Sequence, residues 1–281
     1  MKPAPFRYAR PSSIAEVVGL LSGTSGAARV LAGGQSLMPL LSRRIERPSL
    51  LIDINRIAGL DRIELIDGHI RMGALVRQEQ ALRSPLVRTE IPGVSAAMAW
   101  VANATVRSRG TVVGNLVTNS PGAELPAVAI ALDAQLVVCY PHGEETVPAA
   151  CLLGGQRRVS ADALVTHVLW PRRPARAGFY ELARRDGHVP VVSSMVSVSQ
   201  DECRVSVSGV CTSGLSCPAA ARVIAAQFPD VPKLADLASA MRCDIVGPVY
   251  SDAYSDADYR LDVAPLVVQR AVRRTAPQAI A

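Results

Sequence analysis

Two glycine-bearing segments and one carboxylate carry the residue types and spacing from which chemistry could be built. The first segment is Leu31-Ala32-Gly33-Gly34-Gln35-Ser36-Leu37. It follows Ala28 to Ala32, which reads as a short buried strand, and runs into Ser36-Leu37-Met38-Pro39-Leu40-Leu41, a helix start with proline in its first turn. Paired glycines let a backbone approach a ligand closely and take positive φ, and amides ahead of a helix form an anion site. Ser36 can cap that helix or donate to a phosphate oxygen. Alone, the Gly-Gly pair fits a plain tight turn better than an anion site, and it is neither G-x-G-x-x-G nor a Walker loop.

The second segment is Arg107-Ser108-Arg109-Gly110-Thr111-Val112-Val113-Gly114-Asn115, continuing through Ser120-Pro121-Gly122-Ala123-Glu124. Thr111 and the adjacent amides can bind an anion, and Glu124 can accept from a ribose or adenine donor. This stretch also reads as an irregular connection whose polar groups satisfy one another. Taken together the two segments say more than either alone. A dinucleotide needs its pyrophosphate and its rings held at separate points, so the expectation is that both glycine turns converge on one diphosphate.

The elements that must position these segments follow from pattern. Ser13-Ile14-Ala15-Glu16 is a capping box ahead of a helix over about residues 13–22, stopped at Gly23. With Leu50 to Ile54 as a second buried strand, the first part is a small parallel α/β unit. Residues 61–72 alternate around Asp67-Gly68 and predict a hairpin. Helices fit 76–83, 94–102 and 123–132, and strands fit 134–140 and 163–169; residues 105–118 do not read as a regular helix. Pro171-Arg172-Arg173-Pro174-Ala175-Arg176 reads as a linker. Beyond it, 178–184, 190–200 and 202–209 are strand-like, with Val205-Ser206-Val207-Ser208 giving one buried and one polar face. Helices fit 217–227, 232–241 and 256–274, the last with a kink at Pro265.

Composition narrows the function classes. At 281 residues and 49% hydrophobic, the chain can bury real cores, which excludes a disulfide-stapled mini-protein or a disordered tail. Aromatics at 4% are too few for a base-stacking surface, and the charge of +6 is spread along the chain, so it points to a phosphate-bearing cofactor and not to nucleic acid. The amino-terminal stretch reads as an amphipathic helix and not a signal peptide, and no apolar run of about eighteen residues occurs. Cys139, Cys151, Cys203, Cys211, Cys217 and Cys243 form no C-x-x-C pair and read as small buried hydrophobes in a reducing cytoplasm. The four histidines show no metal spacing, so no metal site is expected on this chain.

The order of these motifs resembles the FAD-binding medium subunit of molybdenum hydroxylases, the relatives of carbon monoxide dehydrogenase and xanthine dehydrogenase. The resemblance covers almost the whole chain. It includes Phe6-x-Tyr8-x-Arg10-Pro11, AGGQSLMPLL, Leu51-Ile52-Asp53-Ile54-Asn55-Arg56-Ile57, Met72-Gly73-Ala74, VRSRGTVVGN, Pro121–Ala134, Phe179 to Gly187 and Tyr259-Arg260. AGGQS with RGT-x-x-GN at this separation is the specific part.

The resemblance implies an α+β fold: a two-subdomain vanillyl-alcohol-oxidase-type FAD-binding fold followed by a C-terminal α+β domain, an antiparallel sheet with helices. The implied boundaries are 1–58, 59–172 and 173–281. It implies FAD as cofactor, with Leu31, Ala32, Gly33, Gly34, Gln35, Ser36 and Leu37 around the pyrophosphate. Thr111, Gly114 and Asn115 would meet the phosphates and the ring side, Ala123 and Glu124 the adenosine half, and Leu164 an edge of the adenine or isoalloxazine. The loop from Arg184 to Val192 would border the ring. No catalytic side chain is required.

An iron–sulfur small subunit and a molybdopterin large subunit are the implied partners, with each of three chains present twice and NAD or oxygen as the external acceptor. Three departures stand out. Val113 replaces a glycine, which matters if that position needs positive φ or room for phosphate. Glu124 stands where Asp is common, and Tyr180 and Glu181 stand where a lysine is frequent. They keep two other readings open: a stand-alone flavoenzyme, and a binding protein that has lost flavin.

Overall fold

The computed structural model describes residues 2–172 and 176–275. The chain opens with β1 (Arg7–Ala9), α1 (Ile14–Ser22), β2 (Ala28–Leu31), α2 (Leu37–Ser42) and β3 (Leu50–Asp53). The strands form a parallel sheet in the order β1-β3-β2, so the expected small α/β unit is present with one strand more than the pattern revealed. Ser13 caps α1 by accepting from the Glu16 amide, but the Glu16 carboxylate returns to the Ser12 amide and not to that of Ser13. The expected capping box is therefore displaced by one residue on its return arm. Ser36 makes no side-chain cap on α2, which leaves its hydroxyl uncommitted to the helix.

The middle stretch holds β4 (Ile63–Ile66), β5 (His69–Gly73), α3 (Gln78–Arg83), α4 (Pro85–Glu90), α5 (Pro92–Met98), α6 (Ala104–Arg107), α7 (Val112–Thr118), α8 (Glu124–Ala131), β6 (Gln135–Tyr140), β7 (Gly143–Pro148), α9 (Ala149–Leu153) and β8 (Leu164–Pro171). Its strands make an antiparallel sheet ordered β4-β5-β8-β6-β7. The hairpin turns at Asp67 and Gly68, both at positive φ, as the Asp-Gly signal requires. Residues 105–118 depart from the sequence expectation, because most of them are helical, in α6 and α7. Asn103 caps the first through the Val106 amide at 3.0 Å and Thr111 caps the second through the Gly114 amide at 3.1 Å. Cap chemistry starts both helices despite their β-branched and glycine content.

The last stretch holds β9 (Arg176–Leu182), β10 (Val192–Val198), β11 (Cys203–Ser208), β12 (Leu215–Ser216), α10 (Pro218–Gln227), α11 (Leu234–Asp244) and α12 (Ala257–Arg273). Its antiparallel sheet runs β12-β11-β10-β9, and α12 is one continuous helix through Pro265. The linker expectation falls partly on residues 173–175, which lie outside the described residues; Pro171 ends β8 and Arg176 begins β9. Both faces of the last sheet are buried. Val205 and Val207 join the core beneath α10 and α12, while Ser206 and Ser208 lie at 0% and 2% exposure on the face toward α8. The expected polar face of β11 is thus covered, because α8 packs against it.

One core runs from Val17 and Ile52 through Met72, Met98 and Trp170 to Phe179 and Met195, so it crosses from the first sheet to the near face of the last. All six cysteines are free; Cys139 and Cys217 are buried as expected, whereas Cys243 is exposed and does not fit that reading. Among the described residues, no three His, Cys, Asp or Glu side chains gather where they could hold a metal ion, and no helix is long and apolar enough to cross a membrane.

The last sheet meets α12 closely enough that a Cβ on Gly178 of β9 would lie 2.1 Å from the carbonyl oxygen of Ala271. Gly178→Ala is therefore expected to destabilise the chain by about 3 kcal/mol, the upper range for overpacking against rigid backbone, read as a lowered melting temperature.

Candidate functional site

A cleft of about 380 Å³ opens where the end of β2, the start of α7, the start of α8 and the loop after β9 meet. Twelve of the thirteen residues singled out from sequence line it: Ala32, Gly33, Gly34, Gln35, Ser36, Leu37, Thr111, Gly114, Asn115, Ala123, Glu124 and Leu164. Leu31 does not. Its carbonyl takes the Ile54 amide at 3.1 Å, and its side chain would lie 3.3 Å from a Cβ on Gly34, so it supports the turn from behind.

The two glycine segments touch. A Cβ on Gly33 would stand 2.4 Å from the Arg109 carbonyl oxygen and 3.0 Å from the Gly110 Cα, a separation only glycine tolerates. Gly34 sits at φ +74°, in the left-handed region. Among the described residues, none of the amides of Gly33, Gly34, Gln35, Ser36 and Leu37 donates to a protein acceptor. Five consecutive uncommitted donors at a cleft wall suit an anion.

On the facing wall, Thr111 fixes the entry of α7. A Cβ on Gly114 would be 2.5 Å from the Thr111 hydroxyl, so glycine is required there for the cap to close. Val113 lies inside α7 at 2% exposure, within the core and at the cleft border. Its backbone is right-handed helical, which removes positive φ as a reason for glycine at this position. Asn115 lines the cleft with its Oδ1 buried and without a hydrogen-bond partner. Gln78, which sequence reasoning missed, does the same with its Oε1 at 3% residue exposure. Nothing in the local pattern marks Gln78; it enters because its amide bonds the Gly110 carbonyl at 2.9 Å and draws α3 against the second glycine segment.

Glu124 begins α8 at 5% exposure, and burial pushes its carboxyl up to about 7. Glu181 on β9 is equally buried, and desolvation followed by the charges of Glu124 and Asp186 pushes it up to about 8. Glu181 faces Ser193, which faces Ser208, in one row across three strands. The Glu181 Oε2 and both hydroxyls have no partner, so a polar strip lies sealed between α8 and the last sheet. Gly187, His188 and Val189 line the cleft as well, and a Cβ on Gly122 would meet the Pro190 carbonyl at 2.5 Å. The stretch leading into Glu124 and the loop expected to border a ring thus pack directly on each other.

These features fit a diphosphate-bearing cofactor: an amide-lined turn that admits no Cβ, and two buried acceptor atoms at its opening that await donors. The comparisons agree with that chemistry. Residues 4–173 match the family described as the FAD binding domain in molybdopterin dehydrogenase. The chain is 33% identical over 286 residues to 6-hydroxypseudooxynicotine dehydrogenase complex subunit alpha of Paenarthrobacter nicotinovorans, covering 98% of this chain and 95% of that protein. It is also 33% identical to the nicotine 6-hydroxylase medium subunit of the same organism, covering 99% of each. The structure of quinoline 2-oxidoreductase from Pseudomonas putida 86 superposes at a TM-score of 0.88 with 28% identity, covering 100% of each chain.

Two outcomes follow from this geometry. Gly33→Ala drives a methyl into the Arg109 carbonyl and should weaken flavin retention by about tenfold or more, measured by flavin content after purification. The second concerns pH. The folded chain holds protons on Glu124 and Glu181 that the unfolded chain releases near the ordinary 4.5. Their contribution to stability is therefore complete below that value and is lost as pH rises through about 7 and about 8. Melting temperature should decline over this range, and Glu181→Gln should flatten the decline; parallel curves for the two chains would refute the buried-proton assignment.

Proposed function

The chain belongs to the FAD-binding subunits of molybdopterin dehydrogenases, and on that premise we propose that it is the station through which electrons leave a molybdenum hydroxylase assembly for an external acceptor. The single observation that supports this most is the contact between the two glycine segments, which makes one cradle from two distant stretches of chain. In this reading the amides from Gly33 to Leu37 take the pyrophosphate. Thr111, Gly114 and Asn115 meet the phosphates and the ring side, Ala123 and Glu124 the adenosine half, and Leu164 an edge of a ring. FAD, once bound, supplies the exchange of one and two electrons, chemistry that no amino-acid side chain offers.

The chain's own residues bind, orient and shield. Val101, Val113 and Leu164 line the cleft and keep water from its apolar side. Glu124 keeps a proton at its carboxyl near neutrality and so can donate as well as accept. No side chain is needed as a catalyst.

The partners in this proposal are an iron–sulfur small subunit and a molybdopterin large subunit, with NAD or oxygen taking the electrons, in the cytoplasm. The relatives' names support a shared assembly, since one is called the subunit of a complex and another a medium subunit. Those names span 6-hydroxypseudooxynicotine, nicotine, caffeine and carbon monoxide. Substrate choice therefore lies with the partner that holds the molybdenum and not with this cleft. The reading of a chain that has lost flavin rests on Val113: its helical backbone removes positive φ as the motive, while its side chain at the cleft border leaves crowding of the phosphate as the remaining one.

Absorbance spectra of the chain expressed alone and with its two partners test this. A yellow chain that reduces an external acceptor only when the partners and substrate are present is the expected result. Substrate turnover by the chain alone would replace it with a stand-alone flavoenzyme, and a colourless chain that takes up no added FAD would end it.

A further inference from the structure

At the surface beside the cleft-lining Ala32, a hydrogen-bonded series of side chains that includes the exposed Asn55 reaches both glycine segments at once. The Arg77 guanidinium donates from Nη1 to the Arg109 carbonyl at 2.6 Å and from Nη2 to the Asn55 Oδ1 at 2.7 Å. Asn55 in turn donates from Nδ2 to the Ala32 carbonyl at 2.9 Å and to the Asp53 Oδ1 at 2.7 Å. Asp53 is held on its other oxygen by the Tyr8 hydroxyl, with the Arg10 guanidinium at 3.7 Å. The carbonyl that Arg77 grips is the one a Cβ on Gly33 would strike.

Every joint in this series has a physical reason to be stiff. Although burial works against it, hydrogen bonds from Tyr8 and Asn55 hold the Asp53 carboxyl below its ordinary range, so it stays an anion. That anion orients the Asn55 amide so that its nitrogen faces Ala32 and its oxygen faces Arg77, which settles which way the amide points. The planar fork of Arg77 then spans two acceptors at a fixed angle. The backbone around it is also tied: Arg77 bridges to Thr111, Val112 donates to the Val76 carbonyl at 3.0 Å, and Gln78 donates to Gly110.

We propose that Arg77 is a positioning residue, oriented by Asn55 and Asp53, that pins the Arg109 carbonyl against Gly33 and so sets the spacing of the two loops that hold the cofactor's diphosphate. The proposal rests on the cofactor reading above for what the loops hold, but not for the spacing itself. Arg77 touches neither ligand nor reacting atoms in this role; it acts through backbone.

The test compares the full-length wild-type chain with Arg77→Ala, Arg77→Lys, Asn55→Ala and the double variant Arg77→Ala/Asn55→Ala. FAD affinity is read by titration with flavin fluorescence. The visible circular dichroism of bound flavin reports its environment. Hydrogen exchange over residues 107–115 is read in the cofactor-free chain. Arg77→Ala and Asn55→Ala should each weaken FAD by about tenfold or more and alter the flavin dichroism. The double variant should be no worse than the weaker single one, because both act through one connection. Arg77→Lys should recover part of the affinity, since an ammonium can reach one acceptor but not both.

Exchange should rise over residues 107–115 in Arg77→Ala, where the amides are hydrogen-bonded, while far-ultraviolet dichroism and exchange in the last sheet stay as in wild type. A variant that loses the last sheet's protection has unfolded, and Arg77→Lys then carries the comparison. FAD affinity within about twofold of wild type in both Arg77 variants would overturn the proposal. So would additive losses in the double variant. A wild-type chain that takes up no FAD would overturn the cofactor reading instead. The exchange arm would then still decide the spacing claim, with unchanged exchange at 107–115 counting against it.

Discussion

Backbone meets backbone where Gly33 lies against the Arg109 carbonyl, and the rest of the molecule is arranged to make that approach possible. Glycine removes the side chain that would forbid it. The parallel sheet delivers Gly33 at the end of β2, and pairing of residues 76–78 with 110–112 delivers Arg109 from the other side. Rigid backbone sets the lower limit of the gap between the loops, and the Arg77 guanidinium on the Arg109 carbonyl holds them near it. A cofactor diphosphate held there would find its donors already placed, which lowers the ordering cost of binding.

The polarity of the interior follows a similar division. Apolar side chains fill a core that passes without a break from the first sheet to the near face of the last, and α8 sits at the centre of that passage. Its first residue is Glu124, and the face it covers carries Glu181, Ser193, Ser206 and Ser208. Two carboxyls and a row of hydroxyls so far from water are costly unless protons or other partners satisfy them. Cores that needed only stability would use apolar residues here. The polar strip adjoins the end of the cleft bounded by Glu124 and the Gly187–Val189 loop, so polarity is retained next to the place where a ligand is expected.

Much of the site was legible in the chain because glycine and caps are local signals. Gly33, Gly34, Thr111 and Gly114 each answer to a demand written within a few residues: a positive φ, a close approach, or a hydroxyl closing on an amide three residues on. The hairpin at Asp67-Gly68 and the long helix α12 were readable for the same reason. Gln78 and the side-chain series from Tyr8 to Arg77 were not, since their partners lie tens of residues away. The burial of Ser206 and Ser208 was misread: alternation reports that a strand has two different faces, but not that a helix will cover the polar one.

By itself the sequence determined the local grammar of this protein: where strands end in glycine, where helices start, and which motif family the order of those pieces resembles. Those features depend on φ preferences and hydrogen bonds between near neighbours, which any short stretch of chain carries with it. Only the tertiary structure decided that the two glycine segments touch, that Arg77 grips the carbonyl between them, and that Glu124 at the cleft wall lies near enough to the sealed Glu181 to push its carboxyl up. Distance in space and loss of water are properties of the packed whole, and no spacing along the chain contains them.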